Sequence, residues 1–131
     1  MDMHIAFPGG KKVEVHYKDF VIPTDQPLEH GGQGSAPEPY ALFLASLAAC
    51  AGFYVLAFCQ MRNISTEGLE LIQRTLPGPQ GKGLGKIEID VRLPAGFPEK
   101  YEKAVVRAAD QCAVKKTIMN PPQMEVRAIR A

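Results

Sequence analysis

The sequence predicts an α+β fold with the element order βββ-α-ββ-αα-β. Two hairpin-like stretches of alternating apolar and polar residues flank a long uncharged segment, residues 40–59, and two short amphipathic segments follow residue 97. At 131 residues the chain has the length of one domain. We therefore expect a single domain over residues 1–131.

The N-terminal part reads as three short strands followed by a loop. Residues 3–7 and 12–17 form the predicted first hairpin, with Pro, Gly and Gly at the turn between them. Residues 20–22 give a third strand, which a proline closes. Residues 23–37 contain three prolines and three glycines, a composition typical of a loop.

The uncharged segment predicts one long helix. Ser35 is the expected N-cap, Glu38 its capping-box partner, and the helix should run to about Arg62. Its twenty uncharged residues also meet the length of a membrane span. Six of the twenty are alanine, and the flanking amphipathic strands need an apolar element to cover them, so we favour a buried core helix over a membrane span.

Small residues recur along one side of this helix. Ala41, Ala45, Ala48 and Gly52 are separated by four, three and four positions, which places them in one stripe. Small side chains let another backbone approach closely, for example across a dimer. Alanine is also simply a good helix former, so the stripe alone leaves both interpretations open.

The second half predicts a hairpin, two helices and a closing strand. Residues 86–93 alternate strictly between apolar and charged, and they pair in this prediction with a strand around residues 69–73. The Gly-rich loop that joins them lacks the spacing of a phosphate-binding loop, and no helix follows it. One helix begins near Phe97, a second covers 112–119, and alternation over 123–130 predicts the last strand.

Composition argues against several classes of function. The formal net charge is +1, whereas a nucleic-acid binder usually carries a basic surface. The N-terminal residues lack the pattern of an export signal, so we expect a cytoplasmic protein with free thiols. His4, His16 and His30 show no ligand spacing, and we predict no metal site.

Three cysteines are the candidate reactive groups. Cys50 and Cys59 lie nine positions apart in the predicted helix and therefore on opposite faces, which excludes a disulfide between them. Any intrachain pair must use Cys112, where a helix start and the nearby Lys115 and Lys116 favour a thiolate. The alternative is that all three are buried and inert, as free cysteines usually are.

Two cysteine-centred motifs resemble those of the OsmC/Ohr superfamily, the osmotically inducible protein C and organic hydroperoxide resistance proteins. They are GGQGSAPEPYALFLASLAAC, ending at Cys50, and ADQCAVKKTI, around Cys112. The resemblance implies an intertwined homodimer with the long helices buried between sheets. It further implies that Cys50 attacks a hydroperoxide and becomes a sulfenic acid, that Cys112 resolves it as a disulfide, and that an external dithiol is the only reductant required.

The resemblance also implies an apolar substrate pocket near the dimer interface and a structural role for the third cysteine. The pocket residues would be Tyr40, Phe43 and Phe53, and the substrate a small apolar hydroperoxide. The resemblance gives Cys59 no chemical role, and we expect it in the core.

Two residues of the family pattern are missing. The peroxidases carry a Glu nine or ten positions before the first Cys, where this chain has Ala41 and Tyr40, and an Arg in the N-terminal strands, where this chain has none before Arg62. Without a nearby cation, burial should raise the pKa of Cys50 and slow its chemistry. The alternative function is therefore a non-enzymatic OsmC-like protein that binds a small apolar ligand or senses oxidant.

Overall fold

The computed structural model describes all residues, 1–131, and confirms an α+β fold. Five strands and three helices form in the order βββ-α-ββ-αα: β1 His4–Gly9, β2 Lys12–Tyr17, β3 Phe20–Thr24, α1 Pro39–Met61, β4 Glu70–Pro77, β5 Leu84–Arg92, α2 Glu102–Ala109 and α3 Ala113–Met119. The chain divides into two compact units, Met1–Ala45 and Ser46–Ala131, which are described separately below.

The first unit contains an antiparallel sheet in the order β1-β2-β3. Ile5 pairs with Val15, and Val15 pairs with Ile22, so the alternation seen in the sequence places these apolar side chains on one face. Ile5 is 55% exposed, and Phe20, which lies on the same face, is 65% exposed. This unit therefore leaves much of its apolar sheet face in contact with solvent.

A buried carboxylate organises the loop that precedes α1. Asp25 accepts hydrogen bonds from the backbone N–H groups of Gln26 (2.8 Å), Gln33 (3.3 Å) and Ser35 (3.1 Å), and from the Ser35 hydroxyl (2.5 Å). The predicted capping role of Ser35 is therefore wrong, because its hydroxyl is engaged by Asp25 instead. Gly32 is required in this loop, since a Cβ there would lie 1.9 Å from the Gln26 carbonyl oxygen.

The second unit has a core between α1, the β4–β5 hairpin and α2. Its buried members are Val55, Phe58, Cys59, Phe97 and Val105. Apolar side chains from both strands of the hairpin pack against this cluster, as the strict alternation in the second strand predicted. Cys59 is fully buried there, which confirms its expected place in the core.

In the second unit, the buried residues of α1 lie along one side of the helix. Five of its residues are buried, all from Leu47 onward, whereas Phe53 is 61% and Leu56 40% exposed. The expected burial of the helix is therefore met on the side that packs against the core of the second unit, where Val55, Phe58 and Cys59 lie. By length and composition the helix would also be able to cross a membrane.

The predicted closing strand at 123–130 is wrong. After α3 ends at Met119, the chain forms no regular secondary structure. Met124 and Val126, which were expected on the packed face, are 88% and 96% exposed. Alternation alone does not make a strand, since a strand also requires a neighbour for its backbone hydrogen bonds, and this segment has none within the chain.

Candidate active site

The second unit brings Cys50 and Cys112 together. Cys50 lies in the middle of α1, and Cys112 is the N-cap residue of α3. The Cys112 sulfur accepts the backbone N–H of Lys115 at 3.4 Å, so the thiol occupies the place that a Ser or Asp side chain takes at many helix starts. The same sulfur lies 3.9 Å from the Leu47 carbonyl oxygen, one helical turn before Cys50.

Both cysteines are free thiols, and Cys112 lies close enough to Cys50 for each to influence the pKa of the other. Cys112 is 1% exposed, whereas Cys50 is partly exposed. The fold therefore brings these two cysteines near each other, and their action as a pair stays a prediction. Cys59, by contrast, lies in the core cluster and contacts neither thiol by hydrogen bonding.

Peptide N–H groups lower the pKa of the Cys50 thiol. The largest contribution comes from the N–H of Val114, followed by the hydrogen bond from the Cys112 thiol; burial opposes them, and the N–H of Ala113 adds to them. Both N–H groups belong to the start of α3, where backbone donors have no partner within the helix. The expectation that missing cations would leave this pKa raised is therefore wrong, because backbone donors stabilise the thiolate.

The pKa of the Cys112 thiol shifts in the opposite direction, to a higher value. Burial raises its pKa most, and the hydrogen bond to Cys50 raises it further, while the N–H groups of Lys115 and Val114 oppose both effects. The Lys115 ammonium, expected to favour a Cys112 thiolate, forms an ion pair with Asp110 instead. The two shifts run in opposite directions, so the site favours the thiolate more at Cys50 than at Cys112.

An aliphatic cleft of about 730 Å³ lies beside Cys112 in the same unit. The apolar face of β5 forms one wall, and residues of α2 and α3 form another, with Cys112 itself contributing and Cys50 absent from the lining. Two lining cations are already paired, Lys86 with Glu88 and Lys115 with Asp110. The lining also includes Arg107, and the remaining walls are mainly aliphatic, with Cys112 among the lining residues.

The aromatic residues predicted to bind substrate lie elsewhere. Tyr40 and Phe43 stack on each other in the first turns of α1, with ring centroids 5.8 Å apart. Phe53 contacts Tyr54 edge-on, with centroids 5.7 Å apart. None of the three predicted residues lines the aliphatic cleft, and their role in binding stays a prediction.

The sequence reasoning missed the two features that give this site its chemistry. The N–H groups of Ala113 and Val114 carry no signature in side-chain type, although the expected helix start at Cys112 was the available signal. The cleft was likewise missed, since it depends on how α2 and α3 pack across β5. No group of three or more His, Cys, Asp or Glu residues is placed to hold a metal ion.

Fold and site together define a class of small α+β proteins with a paired-thiol site between a long helix and a later helix start. The model of the OsmC-like protein family matches residues 32–127 of this chain. The chain belongs to the OsmC-like family. No curated protein matches the sequence at a significant level.

Solved structures share the fold at low sequence identity. A protein from Psychrobacter arcticus described as an osmotic stress induced and detoxification response protein has a TM-score of 0.72 at 20% identity, covering 88% of this chain and 85% of that chain. An organic hydroperoxide resistance protein OsmC from Legionella pneumophila has a TM-score of 0.55 at 24% identity, and the match covers 90% of this chain and 89% of that chain. An organic hydroperoxide resistance protein from Vibrio cholerae, with captopril bound in one of its active sites, has a TM-score of 0.57 at 19% identity. That match covers 92% of this chain and 86% of that chain.

Proposed function

We propose that this protein is a thiol peroxidase that reduces small apolar hydroperoxides, with Cys50 as the peroxidatic and Cys112 as the resolving cysteine. The observation that carries the proposal is the contact between the two thiols, in which peptide N–H groups of Ala113 and Val114 hold the Cys50 sulfur. A thiolate is the nucleophilic form of cysteine, and the site favours it at Cys50.

The proposed reaction starts from the thiolate form of Cys50, which the site favours. The Cys50 thiolate attacks the terminal peroxide oxygen, the O–O bond breaks, and the alkoxide takes a proton and leaves as an alcohol. Cys50 is then a sulfenic acid. The sulfur of Cys112 attacks the Cys50 sulfur, a disulfide forms, and the hydroxyl leaves as water with the thiol proton. A dithiol returns both cysteines to the reduced state and is itself oxidised to a disulfide.

The relatives support this class of reaction. Two of the similar structures are named organic hydroperoxide resistance proteins. We extend that role to this chain because its own cysteines are in contact and differ in the way a peroxidatic and a resolving cysteine must. The mechanism needs no metal or organic cofactor, and we propose that it operates in the cytoplasm, where thiols stay reduced.

Turnover of cumene hydroperoxide with excess dihydrolipoamide tests the proposal. We expect wild type to consume peroxide and Cys50→Ala to be inactive. Cys59→Ala makes the same chemical change in the same helix, and we expect it to retain turnover because Cys59 contacts core residues only. Absence of turnover in wild type, or equal turnover in Cys50→Ala, would refute the proposed function.

We also propose that the protein acts as a homodimer. Large apolar side chains are exposed in each unit: Phe7 is 80% and Phe20 65% exposed in the first, and Phe53 61% in the second. Monomeric proteins rarely leave so much apolar surface in water. An interface of more than about 2,000 Å² would be typical of an obligate dimer. Light scattering at micromolar concentration should give twice the chain mass of 14.3 kDa, and a monomer would contradict the proposal.

The aliphatic cleft favours a second candidate, a non-enzymatic protein that binds a small apolar ligand. Its volume of about 730 Å³ is in the range of small-molecule sites. The peroxidase assay separates the two candidates. Binding of the fluorescent probe anilinonaphthalene sulfonate without any peroxide turnover would favour the second, and turnover dependent on Cys50 favours the first.

A further inference from the structure

We propose that the disulfide of this reaction is opened at the Cys112 sulfur, by a dithiol that enters through the aliphatic cleft, and that Cys50 leaves onto the N–H groups of Ala113 and Val114. The inference rests on the proposed function, because it concerns how the disulfide formed there is reduced. In this proposal the two substrates react at different sulfur atoms: the hydroperoxide reacts at Cys50 and the reductant at Cys112.

The first argument concerns the leaving group. A thiol that attacks a disulfide expels the other sulfur as a thiolate, and the better-stabilised thiolate leaves faster. The Cys50 sulfur accepts hydrogen bonds from two peptide N–H groups and from the Cys112 thiol, whereas Cys112 is buried and its ionisation is disfavoured. Attack at Cys112 therefore releases the stabilised group, and it returns Cys50 directly to its nucleophilic form.

The second argument concerns access. Cys112 contributes to the wall of the aliphatic cleft, and Cys50 does not. The Cys112 residue is 1% exposed, and in this proposal the cleft that it lines is the route by which a reductant approaches its sulfur. Val106 lines the cleft and is 53% exposed, so it is the lining position chosen for a test of this route.

The exchange balances as two displacements. In the first, one thiolate of the dithiol bonds to the Cys112 sulfur, the Cys50–Cys112 bond breaks, and its electron pair stays on Cys50. In the second, the other thiol of the reductant attacks the first reductant sulfur and releases Cys112, which takes up a proton. The dithiol loses two electrons and two protons and becomes a disulfide. The protein gains both electrons and one proton, on Cys112, while Cys50 is released as a thiolate and the other proton goes to solvent.

The attacked sulfur can be identified by trapping. Wild type is oxidised with diamide, which forms the disulfide without needing peroxidase activity. It is then exposed briefly to 2-mercaptoethanol, quenched with N-ethylmaleimide and digested with trypsin. Cys112 lies in the tryptic peptide 108–115 and Cys50 in 19–62, so each is scored separately, and fragmentation distinguishes Cys50 from Cys59.

The expected product carries mercaptoethanol on Cys112 and maleimide on Cys50, in about tenfold excess over the reverse. Equal labelling, or mercaptoethanol mainly on Cys50, would overturn the inference while leaving the proposed function standing. Trapping on Cys112 in a protein without peroxide turnover would refute the function and support the exchange route. Failure of diamide to form a Cys50–Cys112 disulfide would overturn both.

A variant tests the route through the cleft. Val106→Trp adds a large ring to the lining of the cleft, and Lys103→Trp, at an exposed position on the same helix outside the cleft, is the matched control. We expect Val106→Trp to slow reduction of the disulfide by dihydrolipoamide about fivefold or more, with oxidation by cumene hydroperoxide unchanged in rate. Equal effects on both half-reactions, or no effect on reduction, would overturn the cleft as the route.

Discussion

Replacing Ala113 with proline removes one of the N–H groups that hold the Cys50 thiolate while disturbing the backbone little. Ala113 is the first residue of α3, where proline is well tolerated, and the preceding residue, Cys112, has ψ of 125°, the extended value found before proline. Val114 donates the stronger hydrogen bond. A proline there, however, would force Ala113 out of its helical conformation, so Ala113→Pro is the cleaner change.

The expected effect is a loss of thiolate at Cys50. A hydrogen bond to a charged acceptor contributes about 1.5–3 kcal/mol, and because Cys50 is partly exposed we use the lower value. That energy corresponds to roughly a tenfold decrease in the thiolate fraction at a pH below the pKa. The rate of Cys50 alkylation by iodoacetamide, followed against pH by peptide mass spectrometry, measures this directly.

Ala113→Ser is the matched control for that experiment, because it changes the side chain and keeps the N–H group. Its alkylation profile should match that of wild type, while the profile of Ala113→Pro should shift to higher pH. If Ala113→Pro folds normally by circular dichroism and alkylates like wild type, backbone donors do not control the pKa of Cys50. The explanation of how the site works without the family's Arg and Glu would then be wrong.

Three further predictions follow from the same structure. In Cys112→Ser, the sulfenic acid on Cys50 should persist after peroxide and be labelled by dimedone, whereas unlabelled Cys50 would show that Cys112 does not resolve it. The Ser35 hydroxyl and the neighbouring N–H groups lower the pKa of Asp25 from 3.8 to about 2, so its ionised form stabilises the fold above pH 3.8 and this contribution is lost as the pH falls toward 2. The free energy of unfolding, measured with urea, should therefore fall more steeply over that pH range in wild type than in Asp25→Asn. Parallel pH profiles of the two proteins would contradict this. Val105→Ala should destabilise the fold by about 2 kcal/mol, because its side chain is fully buried, and Val106→Ala by less than about 0.5 kcal/mol; equal midpoints in urea would contradict the packing described.

The sequence was most informative where a local pattern has one structural meaning. Strict alternation in residues 86–93 and an uncharged run after a Gly-rich loop predicted a hairpin strand and a long helix, and both formed close to the expected bounds. Spacing excluded a pair of Cys50 with Cys59, and the resemblance implied the pairing of Cys50 with Cys112; the structure places these two cysteines near each other, and their pairing stays a prediction. Each of these depends on side-chain type and spacing, which a sequence displays.

The failures share a different cause. The closing strand at 123–130 has the right alternation but no neighbouring strand in the chain, and pairing partners are not a local property. The pKa of Cys50 was expected to rise because charged side chains were the only donors considered. Peptide N–H groups are present at every residue except proline, so which of them face a given sulfur depends on the fold and cannot be read from residue types.

The most direct test of the central claim is the product of a single oxidation. One equivalent of cumene hydroperoxide is added to the reduced protein, free thiols are alkylated, and tryptic peptides are analysed by mass spectrometry. A functional pair predicts a disulfide that joins peptide 108–115 to peptide 19–62 through Cys50, with Cys59 alkylated after unfolding. Recovery of both Cys50 and Cys112 as alkylated thiols, with the peroxide unconsumed, would contradict it.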